Sequence, residues 1–357
     1  MHTCGEMPPK KKGSAADDGD AIENLISNYK RACTLIGAEE IKELVIKLSG
    51  EDDDEDSDDC IDSSVHLVLQ DLPLRPCGTR AFAWACLGNG EGMNQKAYTK
   101  YESITFCRCD CQDAGAVALA EVLRLGKSLD VVPSALSFIH CGIRQHGCAM
   151  LGSALEHGAN NTLKSLTLDY NVFGNDGFSA LVYGLRSNTC LESLNVRFCG
   201  MAGTDFGATL CDLLSGEQSK LRRLNVEGNR IGPMGLAVLS RCLKRNKTLV
   251  ALDISDNGID ISYEPKEFKA YSEGLGHFCT ALQLNSTLLE LNFRFNTLGA
   301  EGATLLRPAL DKSEENPNKT LKKVFVSSIL GKEDFDSLNR NEPIKGGKGK
   351  KKGKKKK

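Results

Sequence analysis

The chain has 357 residues, 41% apolar and 26% charged, which are ordinary values for a soluble globular protein. Its net charge of −2 hides an asymmetry, because nine lysines crowd between Lys345 and Lys357 and leave the body acidic. There is no run of about 18 apolar residues, and Met1 to Asp20 has no apolar core, so neither a membrane span nor a secretory signal is expected.

Residues 1–20 are polar, carry Lys10-Lys11-Lys12 and read as disordered. From Ala21 the spacing turns helical. Ile22, Leu25, Ile26, Tyr29 and Cys33 recur at threes and fours, as do Ile41, Leu44, Val45 and Leu48. Residues 21–49 therefore read as a helical cap or a degenerate first repeat. Residues 50–64 hold eight acids in the nine positions 51–59, a solvated loop by composition. An array is predicted over 65–338, followed by a disordered lysine-rich tail over 339–357.

Each unit of the array opens on a short apolar phrase. Taking its first apolar residue as a marker gives Leu67, Ile104, Leu136, Leu166, Leu194, Leu224, Leu252, Leu291 and Val324. From Leu136 to Leu252 the markers are 30, 28, 30 and 28 residues apart, and a fixed period of this size means a solenoid. Five residues after the marker stand Cys109, Cys141, Asn171, Cys199, Asn229, Asn257 and Asn296. At that turn an Asn amide can satisfy backbone groups that would otherwise cost roughly 1–3 kcal/mol each, and Cys can do so more weakly. A glycine eleven after the marker (Gly115, Gly147, Gly177, Gly235, Gly302) opens a helical pattern. Asp205 breaks it at Leu194, and an insertion of about eleven residues delays it after Leu252.

These residues resemble the ribonuclease-inhibitor type of leucine-rich repeat, Leu-x-x-Leu-x-Leu-x-x-Asn/Cys followed by a helix. Leu163 to Asn171 and Leu221 to Asn229 match throughout. The resemblance implies an α/β solenoid, a horseshoe with parallel strands on the concave face and helices on the convex face. It implies little about function, since the type occurs in inhibitors, GTPase activators, innate sensors, actin-capping proteins and ciliary components.

Strand alternation turns residues one and three after each marker outward, and the next residue follows at the turn. Tyr170, Arg197, Phe198, Glu227, Arg294 and Phe295 lie there, in a mix of aromatics and arginines typical of interface anchors. The competing expectation is that Phe198 and Phe295 tuck into the turn. The insertion, about 260–272, carries Tyr263, Phe268 and Tyr271, and reads either as a binding loop or as a local seal.

The tail, with Lys350, Lys351, Lys352, Lys354, Lys355, Lys356 and Lys357, suits salt-sensitive attraction to a polyanion such as RNA, acidic tubulin tails or anionic lipid. The 15 cysteines read as reduced thiols in the cytoplasm or nucleus. Cys107, Cys109 and Cys111 lack metal-site spacing, so no metal or cofactor is expected. Asn160, Asn246, Asn285 and Asn318 fit a glycosylation sequon but recur just after the helices, where turn chemistry explains them. Gly126-Lys127-Ser128 lacks the leading glycine of a phosphate loop. The sequence thus predicts a non-catalytic protein-binding scaffold, in a cytoskeletal or ciliary setting by family analogy. The alternative is a regulator of an enzyme such as a small GTPase, acting through Arg197 or Arg230.

Overall fold

The computed structural model describes residues 15–50, 65–88, 91–93, 98, 100–125, 133–216 and 218–342, with side chains from residue 21. Two helices open the chain, α1 (Ala15–Ile36) and α2 (Lys42–Ser49). Helix α1 starts inside the stretch that composition reads as disordered. Then come β1 (His66–Gln70), α3 (Arg75–Leu87), β2 (Ser103–Cys107), α4 (Gln112–Leu125), β3 (Ala135–Ile139) and α5 (Gln145–Ala154). The middle of the array is β4 (Ser165–Thr167), α6 (Gly174–Leu185), β5 (Ser193–Asn195), α7 (Gly203–Leu214), β6 (Arg223–Asn225) and α8 (Gly232–Leu243). It ends in β7 (Ala251–Asp253), α9 (Pro265–Leu284), β8 (Glu290–Asn292), α10 (Gly299–Leu310), β9 (Lys323–Phe325), α11 (Lys332–Leu338) and β10 (Arg340–Asn341).

The sheet order follows the chain order, and β1 to β9 are all parallel. The register sets marker beside marker, for example Leu166 beside Leu194, Leu194 beside Leu224 and Leu224 beside Leu252. This is the α/β leucine-rich-repeat solenoid that the sequence predicts. Each strand is followed by a helix that returns the chain, because parallel neighbours need a crossover. At the far end β10 runs antiparallel to β9 and covers the last sheet edge.

Marker residues and those two after them point inward. Leu166, Leu168, Leu194, Val196 and Val226 are all fully buried. Behind them the turn asparagines close the backbone account. The Asn171 Oδ1 accepts from the N–H groups of Cys141 and Ile143, both at 3.0 Å, while its Nδ2 donates to the carbonyls of Phe138 and Leu168. Cysteine in the same place chiefly donates: the Cys109 Sγ gives to the Leu69 carbonyl at 3.1 Å and the Cys199 Sγ to that of Leu168 at 3.3 Å, while each sulfur also lies against a backbone N–H of the preceding repeat, Leu72 and Asn171. Burial pushes the Cys109 thiol up to about 11 and the Cys199 thiol up to about 12, so both keep the proton they donate. Before Cys109 and Cys199 the second N–H turns on its own segment, as Leu74 N–H does to the Leu72 carbonyl and Phe173 N–H to that of Asn171.

A second row of asparagines ends the helices. Asn160, Asn246, Asn285 and Asn318 are at most 6% exposed, and their Oδ1 atoms accept from the N–H groups two and three residues on. Asn188 does the same without completing a sequon.

The insertion after β7 is mostly not a loop. It lengthens α9 to 20 residues against 12 in its neighbours α8 and α10. Tyr271 is buried there, and its hydroxyl donates to the Leu298 carbonyl. That carbonyl also accepts from the Gly302 N–H, so Tyr271→Phe leaves it satisfied. The expected cost is about 1 kcal/mol, read as a shift in the denaturation midpoint with unchanged slope.

The cysteine expectation needs one correction. Cys211 on α7 and Cys242 on α8 form a disulfide, with Cα atoms 5.4 Å apart. The helices can lie that close because Gly207 of α7 faces the backbone of Gly235. The other described cysteines are free.

Candidate functional site

The site lies on the rim where strands end and helices begin. Four residues after every marker but the last, Val324, the backbone is left-handed: φ is 53° at Arg108, 52° at His140, 60° at Tyr170, 53° at Phe198, 50° at Asp256 and 60° at Phe295. The cause is the turn itself. The N–H of this residue must still reach the next repeat, as Tyr170 N–H reaches the Arg197 carbonyl at 2.8 Å and Phe198 N–H that of Glu227 at 2.9 Å. The following Asn or Cys must meanwhile point into the core. Only a left-handed residue does both, and it throws its own side chain onto the rim. That conformation costs an L-residue roughly 1–2 kcal/mol. Tyr and Phe have no side-chain oxygen within reach of their own backbone to offset the cost as Asp does, so their presence calls for a functional reason.

Tyr170 and Phe198 stack face to face, with ring centroids 4.9 Å apart and 6° between planes. Phe198 then covers Gly228. A Cβ at Gly228 would stand 2.2 Å from the Phe198 ring, so the bare backbone is what lets the ring lie flat. Tyr170 is 44% exposed and Val172 beside it 74%. Phe198 thus does lean on its neighbours, as the competing expectation held, but it does so within an open apolar strip.

Beneath the strip Arg197 is tied down. Its Nε and Nη2 donate to Asp169 Oδ2 at 2.9 and 2.8 Å, and its Nη1 lies 3.7 Å from Glu227 Oε2. Asp169 is 1% exposed and also accepts the Arg197 N–H. Two members of the row expected to face outward, Asp169 and Ser255, are therefore buried, because each bonds within the sheet. The Asp169 contact holds the Arg197 guanidinium above its usual range. Burial, then the Asp253 charge, raises the Glu227 carboxyl. Arg197 and Glu227 are consequently a supporting network under the rings, not free anchors.

Arg294 and Phe295 lie three repeats further on. The Arg294 guanidinium sits 4.6 Å from the Phe325 ring centroid, and Phe295 is 68% exposed. Nearby, Leu298, Ala300, Leu330 and the 83% exposed Ile329 line a cavity of about 240 Å³. The insertion residues separate: Tyr263 is 81% exposed, whereas Phe268 packs on the core 6.3 Å from Tyr271. Val172 and Ile329 are absent from the sequence prediction. Val172 had a signal, since the equivalent positions hold Asp110, Gly142, Gly200, Arg230, Gly258 and Thr297.

The lysines from Lys350 to Lys357, the acidic run 51–59 and Gly126-Lys127-Ser128 lie outside the described residues. Among the described residues no three His, Cys, Asp or Glu side chains gather as a metal site, and no helix is long and apolar enough to cross a membrane.

A leucine-rich-repeat family model matches residues 159–182, 187–204, 217–240, 245–260 and 284–306. The ribonuclease inhibitor of Sus scrofa is 32% identical over 279 residues, covering 70% of this chain and 52% of that protein. The ribonuclease inhibitor of Mus musculus is 29% identical over 182 residues, covering 49% and 36%. The chain thus spans about half the length of the first relative and about a third of the second. Among solved structures the tropomodulin C-terminal domain of Caenorhabditis elegans aligns at 17% identity with a TM-score of 0.34, covering 44% of this chain and 86% of that one. Phrase, period, sheet register and relatives agree: the chain is a leucine-rich-repeat protein of the ribonuclease-inhibitor type.

Proposed function

We propose that this protein is a non-catalytic scaffold that binds a protein partner on the rim at the ends of its strands. The observation that carries this reading is the stacked Tyr170–Phe198 pair, Tyr170 exposed and Phe198 half-buried, held in left-handed backbone beside the exposed Val172. Rigid aromatic rings on an ordered frame lose little conformational entropy on binding and dominate interface energetics. Arg294, Phe295 and Tyr263 extend the same rim. The relatives support binding over catalysis, since those named ribonuclease inhibitors act on an enzyme by name. The same likeness supports the second reading, that the partner is itself an enzyme and this chain its regulator. A version of it that needs a free arginine is not favoured at Arg197, whose guanidinium is engaged by Asp169 and Glu227. The tail lysines are proposed to add a salt-sensitive tether to a polyanion. A cytoskeletal or ciliary setting rests on family analogy.

Affinity capture from native cells, with the wild type and with Tyr170→Ala/Phe198→Ala, tests the reading. Both rings lie on the rim, so the double variant keeps its far-ultraviolet spectrum. Affinity for the captured protein is expected to fall about 30-fold or more, the scale of an interface hot spot. Deleting residues 343–357, which spares β10, is expected to leave that capture in place. Equal recovery by the double variant, or recovery of RNA alone that disappears with the tail, would sink the proposal.

A further inference from the structure

At the opposite rim, where helices end and strands begin, the last turns of α7 and α8 enclose a cleft of about 660 Å³. Arg241, Arg245 and Lys247 line it, and all three are exposed. Among the described residues the lining holds no carboxylate, and none of the three cations has an ion-pair partner. Lys247 gives one hydrogen bond, to the Ser286 hydroxyl. Lys220, Arg222 and Lys244 stand close by in the chain and also lack ion pairs among the described residues. The fold does not ask for this charge: α5, α6, α7 and α9 all end without a basic residue in the last turn.

The floor of the cleft is already satisfied. Asn246 donates to the Leu214 carbonyl and accepts from the N–H groups of Thr248 and Leu249, while the Cys211–Cys242 disulfide holds the two walls together. We propose that this cleft docks an acidic peptide segment of a partner protein, its carboxylates pairing with Arg241, Arg245 and Lys247.

Three features select that occupant. The helix ends present carbonyls and the negative pole of their dipoles, which disfavours a small bare anion at the floor and leaves the charge to be met at the tips of long side chains. Among the described residues no aromatic lines the cleft, so these offer no platform for nucleobases. Its size suits a few residues of peptide rather than an extended phosphate track. The surface lies across the sheet from the aromatic rim and does not depend on it.

The probe is a fluorescent peptide of the chain's own residues 51–59, which carries eight acids in nine, titrated against the full chain by anisotropy at about 0.15 M salt. In R241A/R245A/K247A the affinity is expected to fall about tenfold, the sum of three exposed ion pairs. In K42A/K266A/K332A, which removes the same charge from other exposed positions, it is expected to fall less than about twofold. The tail lysines are present in both variants and cancel. A photo-crosslinking form of the probe is expected to attach within residues 211–248. Equal losses in the two variants, crosslinking confined to 343–357, displacement by inorganic phosphate at probe concentrations, or tighter binding of an oligonucleotide of equal charge at this cleft overturns the proposal.

Discussion

Asn229→Ala is expected to lower unfolding free energy by about 4 kcal/mol, against about 1 kcal/mol for Cys199→Ala one repeat earlier. The two residues occupy the same place in the phrase, so the difference tests what the ladder does. The Asn229 Oδ1 accepts from the N–H groups of Cys199 and Met201, and its Nδ2 donates to the carbonyls of Val196 and Val226. Val226 keeps a donor in Asn257, but Cys199 N–H, Met201 N–H and the Val196 carbonyl are left buried without partners. Cys199→Ala frees only the Asn171 N–H, which the sulfur accepts weakly. The Leu168 carbonyl that takes its thiol proton also accepts from Asn171, and the Arg197 carbonyl also accepts from Tyr170. Urea denaturation of both variants measures the gap. Equal losses would mean that the ladder works by filling space and not by satisfying the backbone.

Gly184→Val is expected to cost about 3 kcal/mol or more, among the largest effects of any single helix substitution in the array. A Cβ at Gly184 would sit 2.0 Å from the Gly152 carbonyl oxygen and 2.3 Å from its carbon. Those are backbone atoms of α5, so no rotamer change makes room and the two helices must separate. Gly276 on α9 is the matched control, because nothing lies within 4 Å of a Cβ built there. Gly276→Ala should stabilise by about 0.5–1 kcal/mol, since a helix interior favours Ala over Gly. A solenoid is held by nearest-neighbour interfaces. The damage from Gly184→Val should therefore appear as early hydrogen exchange in α5 and α6 with α8 to α10 still protected.

Much of this architecture is legible without coordinates, and the reason is local. The Leu, Asn and Cys of each phrase do the same job in every unit, so their spacing alone determines the strands, the turn ladder, the period and the parallel register. The sequon asparagines are readable on the same ground, because their position after each helix betrays an Asx turn. What lies between these positions is free of the repeat, and there the tertiary structure decides. Sequence shows aromatics at Tyr170, Phe198 and Phe295 but not that their backbone is left-handed, which follows from bonding to the next repeat. It shows Arg197 as a candidate anchor, yet only the stacking of neighbouring strands brings the buried Asp169 and Glu227 against it.

Phe268 and Tyr263 look alike in the insertion and part company because α9 continues back to Pro265 and turns one inward. Cys211 and Cys242 carry no pairing signal in their spacing, being 31 residues apart on different helices. The same is true of Arg241, Arg245 and Lys247, whose meaning lies in the absence of ion-pair partners among the described residues. Repetition therefore determined the scaffold, since each unit carries its own instructions. Partners across the repeats determined the chemistry of its two rims, because contact between residues 28 to 31 apart exists only once the units are stacked.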